Sequence, residues 1–240
     1  MQGQGYCVEM GKAEYGQIYL LQQQLNLARR ENVIPDTVLL LQHEQCFTVG
    51  RRGGFDHILV GDEQLQTEAI RVYESDRGGD VTYHGPGQLI CYPIIDLKDH
   101  GSDVHLFARQ MEEVLIRTLD AFGIKAGRKP EYPGVWVGNA KIGAEGIAVQ
   151  NWVTMHGVSL NVCPNLNHFS YIVPCGITEL GVCSMQQLLH TEVDIVRVRD
   201  EMRRQFGNIF SLNLQDITLK KIKEMVSHVK PAGLVDAESA

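Results

Sequence analysis

No apolar stretch in this sequence approaches the roughly 18 to 20 residues needed to cross a bilayer, so no transmembrane helix is expected. The first residues, MQGQGYCVEM, contain no positive leader followed by an apolar run, and the chain is therefore expected to be cytoplasmic, or to sit in an organelle matrix. Cysteines are present at 7, 46, 91, 163, 175 and 183 without any C-x-x-C pair, which excludes a zinc ribbon and a thioredoxin motif and leaves most of them as buried thiols. Positive charge is also short: 22 Lys and Arg against 29 Asp and Glu give a formal net charge of −7. A broad cationic footprint for nucleic acid is excluded, and any acidic partner would need a local basic patch. Internal repeats and low-complexity tracts are missing as well, so neither a solenoid nor a disordered chain is expected.

What remains is an ordinary globular composition, with 44% hydrophobic residues in 240. That length suits one domain over residues 1–230, with 231–240 as a flexible tail. Residues 17–30 carry Ile18, Leu21, Leu25 and Leu27 at near-helical spacing and end in Arg29-Arg30. The runs 38–41 and 47–49 read as strands leading into a basic loop, with Arg51 and Arg52 either exposed to a partner or merely solvated. Residues 69–73 form a further strand, and 89–95 one buried on both faces. Val104 through Phe122 form the clearest helix, capped by Ser102 or Asp103 and closed at Gly123. A polar connector over 123–134 leads to three strands at 135–137, 142–149 and 152–162. A loop, 164–174, precedes helices at 191–210 and 217–229, the latter capped by Asp216 or Thr218. Strands grouped in the middle with helices around them predict an α/β (α+β) fold, a mixed β-sheet covered by helices.

The densest stretch is RGGDVTYHGPGQ, from Arg77 to Gln88. Its four glycines and one proline bracket a short strand, Val81 to Tyr83, and bring backbone close to a neighbour or a ligand. Cys175, between Pro174 and Gly176, is the thiol a loop could present, whereas Cys91 lies in an apolar strand. A thiol attacks only as thiolate, so it needs a cation or base nearby, and His84 and Lys141 are the candidates. Lys141 opens KIGAEGIAV and reads either as a solvated strand-start lysine or as that cation. His156 in HGVSLN resembles His84: each can be a base, a ligand-orienting group or a satisfied core histidine. Trp136, Trp152, Phe169 and Tyr171 are candidates for an apolar pocket or for plain core.

RGGDVTYHGPGQ at 77–88, KIGAEG at 141–146, HGVSLN at 156–161 and PCGI at 174–177, in this order, closely resemble the lipoyl (octanoyl) transferase family, LipB, over roughly residues 17–210. The resemblance implies a biotin/lipoate-protein-ligase-like fold and transfer of an octanoyl or lipoyl group from acyl carrier protein, without ATP or metal. The acceptor it implies is a lysine of a lipoyl domain, in 2-oxoacid dehydrogenase E2 subunits or the glycine cleavage H protein, with no nucleic acid or membrane involved. It places the acyl thioester on Cys175 and the pKa-lowering lysine on Lys141. Substrate contacts fall on Arg77, Gly78, Gly79 and Asp80, on Val81, Thr82, Tyr83 and His84, on Ala144, Glu145 and Gly146, and on Gly157, Val158 and Ser159. Two positions depart from the family: it usually has an apolar residue at Glu145 and commonly an alanine at Ser159. A carboxylate beside an acyl pocket would be costly unless paired or turned outward. An ATP-dependent ligase on the same fold, a thioesterase and a non-catalytic acyl-binding module are the competing readings. Local cations for docking are Arg51, Arg52, Arg128 and Lys129.

Overall fold

The computed structural model describes residues 2–173 and 180–229; Cys175 and the tail expected over 231–240 lie outside them. The chain runs β1 (Gly3–Ala13), α1 (Tyr15–Arg30), β2 (Asp36–His43), β3 (Cys46–Val49), α2 (Asp62–Thr67) and β4 (Arg71–Glu74). It continues with β5 (Val81–His84), β6 (Gln88–Ile94), α3 (Val104–Ala121), β7 (Gly127–Lys129), β8 (Tyr132–Val137), β9 (Ala140–Gln150) and β10 (Val153–Asn161). Last come β11 (Gly181–Val182), α4 (Met185–Leu189), α5 (Ile195–Phe210), β12 (Leu212–Asp216) and α6 (Leu219–Val226).

Among the described residues, nine strands form one mixed sheet in the order β12-β1-β2-β6-β10-β9-β8-β7, with β11 alongside β9. Period-two alternation of apolar side chains explains why its middle is covered twice. Val38 and Leu40 of β2, with Leu89 and Cys91 of β6, enter the core beneath α3 and α5. Leu39 and Leu41, with Ile90, Tyr92 and Ile94, enter the opposite core beneath α1 and α6. The run at 89–95 is indeed buried on both faces. α3 follows its expected stripe: Asp103 accepts from the His105 and Leu106 N–H groups, and Phe107, Met111, Val114, Leu115 and Leu119 are at most 1% exposed. Each such side chain contributes about 1.5–3 kcal/mol on burial. No helix among the described residues is long and apolar enough to cross a membrane.

Several local expectations change. β3, β4 and β5 leave the main sheet and pair with one another as a separate three-stranded sheet, order β4-β3-β5, whose own small core holds Phe47, Val81 and Tyr83. The connector at 123–134 contains β7 and the start of β8, because polar Arg128 and Lys129 sit at a sheet edge, where solvated side chains are no obstacle. The helix expected from 191 begins at Ile195, capped by Asp194, with α4 before it. Thr218, not Asp216, caps α6. β1 and β12 add a strand at each end of the described chain that the residue pattern does not predict.

Candidate active site

β6 and β10 are paired from Gln88 and Asn161 to Cys91 and Val158, and the ladder stops there. The cause lies in β10. His156 takes a left-handed φ of 57°, unusual for a residue with a side chain, and its N–H donates to Gln22 Oε1 of α1 at 2.7 Å. Next to it, a Cβ on Gly157 would lie 2.3 Å from the Cys91 carbonyl oxygen, so only glycine lets the two backbones pass. Where the ladder opens, a narrow slot forms on the α1 face of the sheet, lined by Arg77, Thr82, His84, Tyr92, Ala144, Glu145, Gly146, His156, Gly157, Val158 and Ser159.

The small sheet roofs this slot. Gly78 N–H donates to Ile147 C=O at 2.9 Å, which docks the loop before β5 onto β9. A Cβ on Gly146 would come within 2.9 Å of Arg77 Cδ, so the thin side chains of β9 and β10 are what admit the roof. Arg77 is buried and works as a staple: Nε donates to Thr48 Oγ1 at 2.9 Å, and Nη2 donates to the carbonyls of Thr48 and Asp80 at 2.6 Å. Arg51 and Arg52 are exposed, while their N–H groups donate to the carbonyls of Arg77 and Gly79.

Nine of the fourteen expected substrate contacts, Arg77, Thr82, His84, Ala144, Glu145, Gly146, Gly157, Val158 and Ser159, thus converge on one slot. Gly78, Gly79, Asp80, Val81 and Tyr83 do not line it. Val81 and Tyr83 point into the small sheet's own core. Asp80 Oδ1 instead accepts from Val81 N–H at 2.6 Å and from His57 Nδ1 at 2.7 Å, an arrangement that raises the His57 pKa. Gly79, at φ 88°, shapes the turn. The aromatics proposed for a pocket stay outside it. Trp152 is 42% exposed, Phe169 and Tyr171 pack on the small core, and Trp136 lies under Lys141, its ring centroid 4.9 Å from Nζ.

Lys141 owes its side to an irregularity. On β9, Ile142 packs in the α3 core and a Cβ on Gly143 would meet Leu115 of α3, so two successive residues face the same way. The register against β8 shifts at this point, Val135 opposite Gly143 and Trp136 opposite Lys141. A bulge of this kind resets the alternation and puts Lys141 on the face of Ala144 and Gly146, the slot's face. β11 runs beside it, Val182 pairing with Lys141. Cys175 lies outside the described residues; the described chain on either side ends at Val173, whose N–H donates to His57 C=O, and resumes at residue 180, just before the β11 pairing.

The same alternation points the Glu145 side chain toward α3, although the residue borders the slot. Its partner across the ladder, Val158, packs in the α3 core, and the Glu145 carboxyl feels the charges of Glu112, Arg109, Lys141 and Arg128. Burial, then the Glu112 charge, push its pKa up to about 7. Arg128 donates to Glu112 Oε2 at 2.7 Å and to Glu113 Oε2 at 2.9 Å, so this expected docking cation is engaged in holding β7 to α3.

Two features of the slot were not placed there from sequence. Tyr92 was read only as strand core. Gln88 closes the glycine-rich motif and sits 1% exposed behind His84. His84 itself is 6% exposed, and burial holds its pKa well below 6.5, with nearby His43 lowering it further. His156 donates from Nε2 to Asp76 Oδ1 at 2.7 Å, leaving a buried Nδ1 without a hydrogen-bond partner; burial outweighs Asp76 and lowers its pKa too. Both rings are neutral near pH 7. Among the described residues no group of His, Cys, Asp and Glu could hold a metal ion.

Residues 15–207 match the family described as the lipoyl protein ligase A/B catalytic domain. The octanoyltransferase of Caldicellulosiruptor bescii is 46% identical over 219 residues, covering 90% of this chain and 96% of that protein. The octanoyltransferase of Desulforamulus reducens is 40% identical over 222 residues, covering 92% and 97%. Among solved structures, lipoate-protein ligase A bound with ATP superimposes with a TM-score of 0.73 at 17% identity, covering 95% of this chain and 94% of that one. Ta0514 from T. acidophilum, a putative lipoate protein ligase with bound lipoic acid, gives 0.70 at 17% identity, covering 95% and 94%. At such identities the structures establish the shared fold.

Proposed function

The chain belongs to the lipoyl protein ligase A/B catalytic-domain family, and from that premise we propose that it is an octanoyltransferase of lipoate biosynthesis. It takes an octanoyl group from octanoyl-acyl carrier protein and delivers it to a lysine of a lipoyl domain, on 2-oxoacid dehydrogenase E2 subunits or the glycine cleavage H protein, in the cytoplasm. The observation that carries this reading is the identity of 40–46% to octanoyltransferases along nearly the whole chain.

Cys175 attacks the incoming thioester as thiolate: its sulfur bonds to the acyl carbon, and the donor's sulfur leaves as a thiol. Lys141 is the cation that favours that thiolate. This exchange of one thioester for another is nearly balanced. Attack by the acceptor lysine then forms an amide and breaks the C–S bond, which drives the sequence forward without ATP. Arg77, Thr82 and His84 cover the acyl chain from above, while Ala144, Gly146, Gly157 and Ser159 form a floor low enough for it to lie against backbone. Thr82, Tyr92 and Ser159 supply the polar edges.

Intact-mass analysis after incubation with octanoyl-acyl carrier protein and no ATP tests the reading. A hydroxylamine-labile octanoyl adduct is expected, absent from Cys175→Ala and transferable to a lipoyl domain. Acceptor modification only with free octanoate and ATP would mean a ligase instead. Release of free octanoate with no acceptor modified would mean a thioesterase.

Carrier docking falls on the loop after β3. Arg51 and Arg52 are exposed there, and Phe55 and Leu59 are 55% and 59% exposed beside them. Reversing both arginines to Glu should lower the second-order acylation rate about tenfold at low salt and flatten its salt dependence. An unchanged rate at both ionic strengths rules this loop out as the docking surface.

A further inference from the structure

Three side-chain amide and imidazole groups behind the slot form a chain whose donors and acceptors can each be assigned. Asn161 Nδ2 donates to the Cys183 carbonyl at 3.1 Å, which leaves Asn161 Oδ1 as an acceptor. Gln88 Nε2 donates to that oxygen at 2.9 Å and to the Tyr83 carbonyl at 3.3 Å. Gln88 Oε1 is therefore also an acceptor, and it lies 2.7 Å from His84 Nδ1. Because an amide oxygen cannot donate, Nδ1 carries the hydrogen, and in a neutral ring Nε2 then carries the lone pair. Nε2 has no hydrogen-bond partner among the described residues, and His84 lines the slot. The relay is rigid: Gln88 and Asn161 are 1% and 5% exposed, on facing strands in register with each other. Its far end is tied to Lys141, since the N–H of Cys183 donates to the Lys141 carbonyl at 3.0 Å.

We propose that Gln88 and Asn161 are positioning residues that hold His84 with the Nε2 lone pair turned into the slot, where it accepts the hydrogen bond of the incoming lysine amine. This rests on the acyl-enzyme reading of the function. In the second half-reaction the amine nitrogen bonds to the acyl carbon and the C–S bond breaks. The proton lost from nitrogen passes to His84 Nε2 and on to the departing sulfur, so the ring ends as it began. The opposite tautomer would turn an N–H into the slot, which can only donate to the amine's lone pair and so tie up the electrons needed for attack.

The titratable and charged groups facing His84 are Tyr15 of α1, His43 of β2, Cys46 of β3, Arg77 before β5, Tyr92 of β6 and His156 of β10. β9 presents Ala144 and Gly146, its Glu145 turning to the α3 face. None of these is a carboxylate, and Arg77 and His43 both oppose imidazolium. The ring stays available as an acceptor through the neutral range.

Nitrogen chemical shifts of the full-length protein labelled with 15N-histidine, assigned with His84→Gln, report the tautomer directly; Nδ1–H is expected, and Nε2–H would overturn the proposal. Single-turnover transfer from preloaded octanoyl-enzyme supplies the second readout. Gln88→Ala should load normally and transfer about 10²-fold more slowly. Gln88→Glu keeps the acceptor for Nδ1 but adds a carboxylate that favours imidazolium. Its transfer rate should therefore recover at high pH and fall on an acidic limb close to neutrality, where the unmodified enzyme shows none. Equal losses in loading and transfer with an unchanged pH profile would reduce the relay to a structural role and refute the proposal. A wild-type enzyme that never loads would overturn the acyl-enzyme reading and the role of His84 with it.

Discussion

Lys141 and Glu145 lie four residues apart on one strand, and each yields a separate expectation. Replacing Lys141 by Met removes the cation that favours the Cys175 thiolate. Loss of about one pK unit of stabilisation should slow alkylation of Cys175 near neutrality roughly tenfold. The readout is clean, because burial pushes Cys7 up to about 12 and Cys183 up to about 11, and raises Cys46, Cys91 and Cys163 as well. Unchanged alkylation kinetics would remove Lys141 from this role. Glu145 acts on stability. Its pKa rises from 4.5 to about 7 on folding, so between those values the folded chain holds a proton that the unfolded chain has released. Stability from this group is present at low pH, falls as pH rises through the window, and is fully lost above 7. Glu145→Gln should match the parent in thermal stability at pH 4.5 and exceed it at pH 8 by about 1–2 kcal/mol, allowing for partial exposure. Equal unfolding temperatures at both pH values would show that the carboxyl reaches water.

At the scale of elements, the slot depends on where β10 leaves β6. Gly157→Ala would put a methyl group 2.3 Å from the Cys91 carbonyl and 2.8 Å from Pro93 Cδ. Backbone must give way. Calorimetry should show a loss of about 1–3 kcal/mol, together with slower acyl loading, since the floor of the slot would shift; a variant with parental stability and loading would mean that β10 can slide without cost. Much of this was legible in the residues: a glycine pair at 143 and 146, a histidine-glycine at 156 and 157, and the density of RGGDVTYHGPGQ all mark close approaches of backbone. The relay behind His84 was not, because Gln88 and Asn161 lie on different strands and acquire meaning only when the register brings them together. Nor could spacing reveal the bulge that turns Lys141 toward the slot. Plain alternation from Gly143 would have sent it to α3.

At the scale of the whole molecule, the two ends of the described chain meet. β12 pairs in parallel with β1, Gly3 opposite Leu212 through Cys7 opposite Asp216, and β1 in turn pairs with β2. Neither end strand was legible from sequence. GQGYCVEMGKA is interrupted by glycines, and LNLQD is a short alternating segment whose burial depends on the partner it finds. α6 then crosses back, and Ile222, Val226 and Val229 complete the core beneath α1. Those three side chains together contribute about 5–9 kcal/mol, comparable with the roughly 5–15 kcal/mol that holds an entire domain. Removing residues 211–240 therefore takes away more than an edge strand: it opens the α1-face core and leaves β1 with unpaired N–H and C=O groups. Such a truncation leaves every slot residue in place, yet it should lose its cooperative thermal transition and associate in solution. A truncated chain that unfolds at the parental temperature as a monomer would mean that β1 is held by β2 alone.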